Sequence, residues 1–272
     1  MSRWTTEAVL AAAADWAWVP PDATEVRTDE YQLAAYPERY FSYPVCVLWS
    51  RSERPVDELI GEVGGHVRAW GHTEVHWDVS AATRPASTEA ELLRRGATLA
   101  DTSQILGYDM TPGLPDLGEP AGVRAQIVRD EPQVRAGLLV WREVWGEGGE
   151  PAAADVEREL ADARRELANW SEFRVVAFIG GEPAAFGGCT LAGGVARLWG
   201  AGTRPAFRGR GAYRAVLARR MAVARAHGAT LALVKGRVET SAPILRRAGF
   251  RGYGEERTYR LALAGQTVRP TP

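Results

Sequence analysis

Residues 202–213 read Gly202-Thr203-Arg204-Pro205-Ala206-Phe207-Arg208-Gly209-Arg210-Gly211-Ala212-Tyr213, and the chemistry such a run can do is the binding of an anion. Ahead of it, Val195 to Thr203 reads as a strand. Behind it, Tyr213, Val216, Leu217, Met221 and Ala224 recur at the spacing of an amphipathic helix that Gly228 ends. A strand-to-helix loop gathers unpaired N–H groups and the positive end of the helix dipole in one place. Gly209 and Gly211 remove side chains that would hold an anion away from those amides. Each hydrogen bond to a charged group contributes about 1.5–3 kcal/mol. Three or four together would approach the roughly 8 kcal/mol of micromolar binding, the strength needed to hold a pyrophosphate. Taken alone, the run is equally what a glycine-rich turn with solvated arginines looks like.

A second block follows at a fixed distance: Thr240-Ser241-Ala242-Pro243-Ile244-Leu245-Arg246-Arg247-Ala248-Gly249-Phe250, a short helix over Ser241 to Arg247 with proline in its first turn. The two blocks together resemble the GNAT acetyltransferase superfamily. Its acetyl-CoA signature is Gln/Arg-x-x-Gly-x-Gly/Ala on a strand-to-helix loop, and its later short helix ends in Gly-Phe. Here the signature stands as Ala206-Phe207-Arg208-Gly209-Arg210-Gly211, and the resemblance covers about residues 122–263. It implies acetyl-CoA as the acyl donor and direct attack on its thioester by a neutral amine, without an acyl-enzyme. The amides of Arg208, Gly209, Arg210, Gly211 and Ala212 would hold the pyrophosphate. Ala201, Gly202 and Thr203 would pair with the pantetheine arm like an added strand. Amides of the same strand would polarise the thioester carbonyl and stabilise its oxyanion. Tyr213, Thr240 and Ser241 complete the set expected to line the cofactor.

Two positions depart from the pattern. Ala206 occupies the usual Gln/Arg position, which removes one side-chain contact and leaves the backbone cradle. Leu245 stands five residues before Phe250, where many members carry a tyrosine as general acid for the departing thiolate. Losing a positioned acid costs about 10²–10⁴-fold. Tyr213, Ser241 and Tyr253 are the candidate catalytic substitutes, although Tyr213 at a helix start also fits a packing ring. No general base announces itself: Glu143 is a helical Glu that could face the acceptor, and Asp155 and Glu159 read as helix-start charges that favour the dipole.

The elements that must position these residues follow from the pattern. Val123 to Val128 reads as a strand, Gln133 to Trp145 and Asp155 to Trp170 as helices, and Arg174 to Ile179, Ala184 to Leu191 and Val195 to Thr203 as a meander turning at Gly180-Gly181 and Gly193-Gly194. Leu231 to Lys235 and Thr258 to Leu263 are the last strands. The first half carries a fainter echo: strand Glu74 to Val79, helix Ser87 to Arg95 closing on Leu92-Leu93-Arg94-Arg95-Gly96-Ala97, then strand Asp101 to Met110. An internal duplication accounts for the shared order. Proline and glycine crowd Thr111 to Ala121, which reads as a linker. The expectation is an α/β (α+β) protein of two GNAT-like domains, 1–116 degenerate and 117–272 binding acetyl-CoA, each a mixed, mostly antiparallel sheet flanked by helices. Around Val45 to Arg68 the first half has no equivalent of the glycine loop. An N-terminal helix starts at Thr5 or Thr6, and the tail from Ala264 reads as frayed.

The chain has 272 residues, 46% hydrophobic and 25% charged, with a formal net charge of −1. That composition is globular, and the charge points to neither nucleic acid nor an anionic membrane. Lys235 is the only lysine among 33 basic residues, a mark of G+C-rich codon usage rather than of partners. Two cysteines, Cys46 and Cys189, make no disulfide or zinc framework, and a cytoplasmic location is expected. No apolar run is long enough to span a bilayer. His72-Thr-Glu-Val-His76 lacks the Glu-after-His pattern and the helix of a metalloprotease, so no metal is expected, and His66, His72 and His76 read as surface or interface residues. Cys189 reads as a buried structural thiol. Trp141 and Trp199 are the indoles expected beside an acceptor. The acceptor itself stays open, a homo-oligomer is compatible with the sequence, and the alternative to an enzyme is an acyl-CoA-binding protein without catalysis.

Overall fold

The computed structural model describes residues 4–20, 22–37, 44–146 and 148–263; the tail from Ala264, expected to fray, lies outside them. In chain order the elements are α1 (Thr6–Ala14), β1 (Thr24–Arg27), β2 (Tyr31–Ala35), β3 (Val45–Ser50), α2 (Val56–Ala69), β4 (Glu74–Ser80), α3 (Thr88–Arg94), β5 (Thr98–Asp109), β6 (Val123–Ile127), α4 (Glu131–Trp145), α5 (Ala153–Asn169), β7 (Glu172–Ile179), β8 (Glu182–Ala192), β9 (Val195–Thr203), α6 (Ala212–Ala226), β10 (Leu231–Arg237), α7 (Ser241–Arg247) and β11 (Arg251–Ala262). The architecture is mixed α/β, with sheets flanked by helices. The Thr5 hydroxyl accepts from the Ala8 amide and so caps α1.

The chain forms two compact units that are not contiguous in sequence. One takes in 10–105, 236–242 and the segment from Tyr253; the other takes in the chain up to Val9, 106–235 and 243–252.

In the first unit the strand order is β1-β2-β3-β4-β11. β3 and β4 run parallel, and α2 carries the chain from one to the other. Leu59, Ile60, Val63 and Val67 of α2 recur at helical spacing and pack with Tyr31, Leu33, Val47, Val75 and Trp77 of the sheet. Asp57 and Glu58 sit in the first turn of α2 and Arg68 in its last, the arrangement the helix dipole favours. β11 runs antiparallel to β4, from Glu256 opposite Ser80 to Ala262 opposite Glu74, and delivers Tyr259 and Leu261 to the same core. The last strand is longer than its sequence suggests, beginning at Arg251 rather than Thr258.

In the second unit β6, β7, β8 and β9 form an antiparallel meander, and β10 lies parallel to β9 at its edge. Asp130 and Gln133 form a capping box that starts α4. Val134, Ala136 and Val140 are buried on the inner face of α4. The inner face of α6 buries Val216, Leu217, Met221 and Ala224. Both units therefore contain the same parallel strand–helix–strand unit, β3-α2-β4 and β9-α6-β10.

Candidate functional site

β9 is irregular where the site begins. On β8, Phe186 and Gly188 pair with Gly202 and Trp199, so three steps along β9 answer two along β8. The extra residue makes a β-bulge around Gly200 and Ala201, a feature that bends a strand and re-aims its groups. Gly200 has a φ of +55, a conformation that L side chains rarely adopt. A β-carbon at Gly200 would lie 2.9 Å from the Trp141 ring, and one at Gly202 would lie 2.6 Å from Trp145 and 2.8 Å from Val144. The end of α4 thus packs directly on the backbone of the bulge. Trp141 and Trp145 have ring centroids 4.5 Å apart and form a single aromatic surface there.

On its other edge β9 parts from β10. The parallel ladder runs from Leu231 opposite Val195 to Leu233 opposite Arg197 and stops. From Leu198 to Thr203 the edge that faced β10 has left that ladder. The backbone there has N–H and C=O groups to offer a third, extended partner.

Beyond Thr203 the chain makes a short 3-10 turn at Pro205–Phe207 and enters α6 through Gly211, at φ +86 and ψ 0, with no side chain capping the helix. Among the described residues the amides of Gly209, Arg210, Gly211, Ala212 and Tyr213 have no hydrogen-bond acceptor within the chain. Arg204 and Arg210 flank the Phe207 ring at 5.2 and 5.4 Å, which holds two cations beside those amides. Arg208 is exposed, and its Nε reaches the Thr203 carbonyl at 3.4 Å. The linker touches this loop: Pro120 lies where a Gly211 β-carbon would go, and Arg214 donates to the Leu117 carbonyl at 3.3 Å.

The expected residues are distributed as follows. Ala201, Gly202, Thr203 and Arg208 to Tyr213 flank one loop in the second unit. Thr240 and Ser241, at the start of α7, and Tyr253, on β11, belong to the first unit. Tyr213 stands on the first turn of α6 with its phenol pushed up in pKa by burial. Leu245 is fully buried and Ala206 exposed. Glu143 is held at 2.5 Å by Arg204. Glu159 does not serve as a helix-start charge: it lies beyond the first turn of α5, where Asp155 stands, and it faces Arg174 at 3.5 Å. His76 is a buried residue of β4 rather than a surface one, with burial lowering its pKa. Among the described residues no group of three or more His, Cys, Asp or Glu could hold a metal. Cys189 is buried, and that burial pushes its thiol up to about 12.

Trp199 lies flat over Gly188, where a β-carbon would be 2.2 Å from its ring. Its Nε1 donates to Thr190 Oγ1 at 3.0 Å, and Thr190 donates to Glu172 at 2.8 Å. Glu172, Glu159 and Glu166 all converge on Arg174. Burial pushes the Glu172 carboxyl up to about 6: one guanidinium shared among three carboxylates does not offset the desolvation. Trp199 is therefore tied through its Nε1 into a polar network.

Arg220 escaped the sequence reading altogether. It is 1% exposed and donates through Nη1 to the carbonyls of Gly188, at 3.0 Å, and Trp199, at 3.3 Å. The signal was present: Arg220 falls seven residues after Tyr213 and three after Leu217, in the middle of the apolar stripe.

The corresponding junction in the first unit, Arg51 to Pro55 between β3 and α2, is built from charges that satisfy each other. Ser52 donates to Glu30 at 2.5 Å, and Arg54 pairs with Glu30 at 2.6 Å and Glu62 at 2.9 Å. With Asp57 and Glu58 in the next turn, the junction presents carboxylates where the other presents amides.

Residues 139–250 match the model described as the acetyltransferase (GNAT) family, a segment that runs from α4 through the loop to Gly249-Phe250. No curated protein matches the chain. Solved structures do. A GCN5-related N-acetyltransferase from Sphaerobacter thermophilus is 16% identical, with 97% of this chain and 88% of that one covered and a TM-score of 0.67. One from Kribbella flavida is 18% identical, covering 90% and 91% at a TM-score of 0.63. A tandem GNAT protein from the clavulanic acid biosynthesis pathway is 14% identical, covering 94% and 88% at 0.62. At these identities the likeness is one of fold, and it extends over nearly the whole chain.

Proposed function

We propose that this chain is an acetyl-CoA-dependent N-acetyltransferase of the cytoplasm, built as two GNAT-like halves, 1–116 and 117–272, of which the second holds acetyl-CoA. The observation that carries the reading is the row of unclaimed amides from Gly209 to Tyr213 at the entry to α6. A diphosphate is the ligand such a row suits, since several N–H groups and a helix dipole act on it together. The pantetheine arm would extend along Ala201 to Thr203, on the edge of β9 that β10 has left. Amides at the bulge would face the thioester oxygen. An amine nitrogen then attacks the carbonyl carbon, the C–S bond breaks, and the acetyl group passes to nitrogen while the amine proton is lost and the sulfur gains one. Tyr213 is proposed as a cofactor-lining residue that packs the first turn. The tandem halves find support in the repeated parallel strand–helix–strand unit. The charge-filled junction at Arg51 to Pro55 supports a single cofactor site, because an incoming phosphate would meet Glu30, Asp57 and Glu58.

Titration calorimetry with CoA, followed by steady-state thiol release and mass analysis with a panel of small amines, amino acids and peptide N-termini, tests the reading. Binding at about micromolar strength and one added acetyl group on at least one amine are expected. Absence of CoA binding overturns the proposal. Tight binding with no turnover on any amine replaces it with a non-catalytic acyl-CoA-binding protein.

A further inference from the structure

Arg220 is a buried cation with no anion. Among the described residues no carboxylate pairs with it, and the titratable groups that act on it are the Tyr213 phenol and the Cys189 thiol, both neutral at pH 7. Its Nε has no hydrogen-bond partner at all. A guanidinium stays protonated at any ordinary pH, and burying one unpaired is costly. A purely structural residue at this place in the apolar stripe of α6 would be leucine or methionine. The expense is concentrated at one place, the bulge of β9.

The bulge breaks the regular exchange of hydrogen bonds between β8 and β9, so carbonyls on the two strands lose their common pattern. Buried carbonyls need donors. One arm of Arg220 supplies both, holding Gly188 O of β8 and Trp199 O of β9 together from beneath the sheet. Gly187 keeps the space open: a β-carbon there would lie 3.0 Å from the guanidinium carbon. A trans peptide is planar, with its C=O and N–H pointing in opposite directions. Gripping the Trp199 carbonyl therefore fixes the direction of the Gly200 N–H and the entry into Ala201.

We propose that Arg220 is a positioning residue for acyl transfer: it clamps the β9 bulge so that the amides following Trp199 stand preorganised toward the thioester oxygen, and its unpaired charge biases that spot toward the negative charge the reaction develops. The inference rests on the acetyltransferase reading. Preorganised dipoles act best where no reorganisation is needed during the reaction, and an unanswered cation behind them adds to the same field.

The test compares the wild-type chain with Arg220→Met and Arg220→Lys. For Arg220→Met, the gain from removing the unpaired buried charge and the loss of the donor to the Gly188 and Trp199 carbonyls oppose each other, so the melting temperature is expected to shift by only a few degrees. Its kcat should fall by about 10- to 100-fold, the scale of a 1 Å misplacement, while KM for acetyl-CoA stays within about twofold, the phosphate cradle being untouched. Deuterium uptake at 198–203 in the ligand-free protein should quicken. Arg220→Lys, which keeps the charge and its donors on a single nitrogen, should recover part of the lost kcat. Unchanged kcat together with unchanged uptake in Arg220→Met overturns the proposal, as does a loss of kcat fully accounted for by unfolding at the assay temperature. Should Arg220→Met fail to fold, Arg220→Lys decides alone: lowered kcat at constant KM sustains the role, and wild-type kcat refutes it. If the wild-type protein binds no CoA and turns over no amine, the acetyltransferase reading fails by itself. The exchange measurement still judges whether Arg220 holds the bulge.

Discussion

Gly211 answers two constraints at once: its φ of +86 lies in the left-handed region, and a β-carbon there would lie 2.5 Å from Pro120. Gly211→Ala is expected to cost about 1–3 kcal/mol of stability and to weaken CoA binding about tenfold or more as the loop shifts, measured by thermal melts and calorimetry. A glycine in this loop was legible in the sequence, but its reason was only half so, because the contact with Pro120 comes from a linker 91 residues earlier. Glu172 gives a prediction of the opposite kind. Its folded carboxyl is raised from 4.5 to about 6, so the folded state holds that proton more firmly than the unfolded chain. Stability present below about pH 4.5 is therefore lost as pH rises through about 6, by roughly 1–2 kcal/mol. Glu172→Gln should flatten that loss, so the variant's melting temperature relative to wild type improves from pH 4.5 to pH 7.5; no such trend would contradict the assigned burial. Nothing in the sequence marks Glu172: Arg174 follows it by two on the same strand, but Thr190 and, through it, Trp199 meet it only across strands.

At the scale of elements, the junction of β9 and α6 was the most readable part of the molecule, because helix period, glycine and strand alternation all point the same way there. β9 and α7 match their expected bounds residue for residue, and α4 and β7 begin two residues earlier than expected. β1, β2, β3 and α2 were not read. β2 is buried on both faces and shows no alternation, and β3 is a nearly continuous apolar run. α2 carries Gly61, Gly64 and Gly65, which depress helix propensity until tertiary packing overrides it. The bulge and the parting of β9 from β10 are pairing events, and a single strand's sequence does not record its partner. If that parted edge receives the pantetheine, CoA should slow amide exchange at 198–203 and 209–213 and leave 174–179, already paired on both sides, unchanged. Protection confined elsewhere would remove the edge from the proposal. α4 lends itself to a substitution. Trp145 is 43% exposed yet covers Gly202, so Trp145→Ala should cost at most about 1–2 kcal/mol while altering kcat/KM differently for aromatic and aliphatic amines.

Across the whole molecule the surprising partner is the last strand. β11 follows α7 and Gly249-Phe250, motifs of the second half, yet it pairs along β4 and completes a core whose other buried members lie between Tyr31 and Ala97. Each compact unit draws on more than one stretch of the chain, because a strand's place is set by which edge its apolar face fits. A chain stopped after Phe250 should lose the first unit's cooperative folding, seen as aggregation or a missing thermal transition, whereas supplying β11 as a separate peptide should restore some of it. Preserved folding without β11 would mean that β3 and α2 suffice to cover Val75 and Trp77. This arrangement also imposes a schedule on synthesis. β4 emerges from the ribosome roughly 170 residues before its neighbour β11, which at about 5–20 residues per second is about 10–35 s. For that interval the nascent chain carries an unfilled edge beside apolar residues, the hazard that draws chaperones, so expression at lower temperature or with added chaperone should raise yield more for this protein than for a chain whose sheets close in the order they are made.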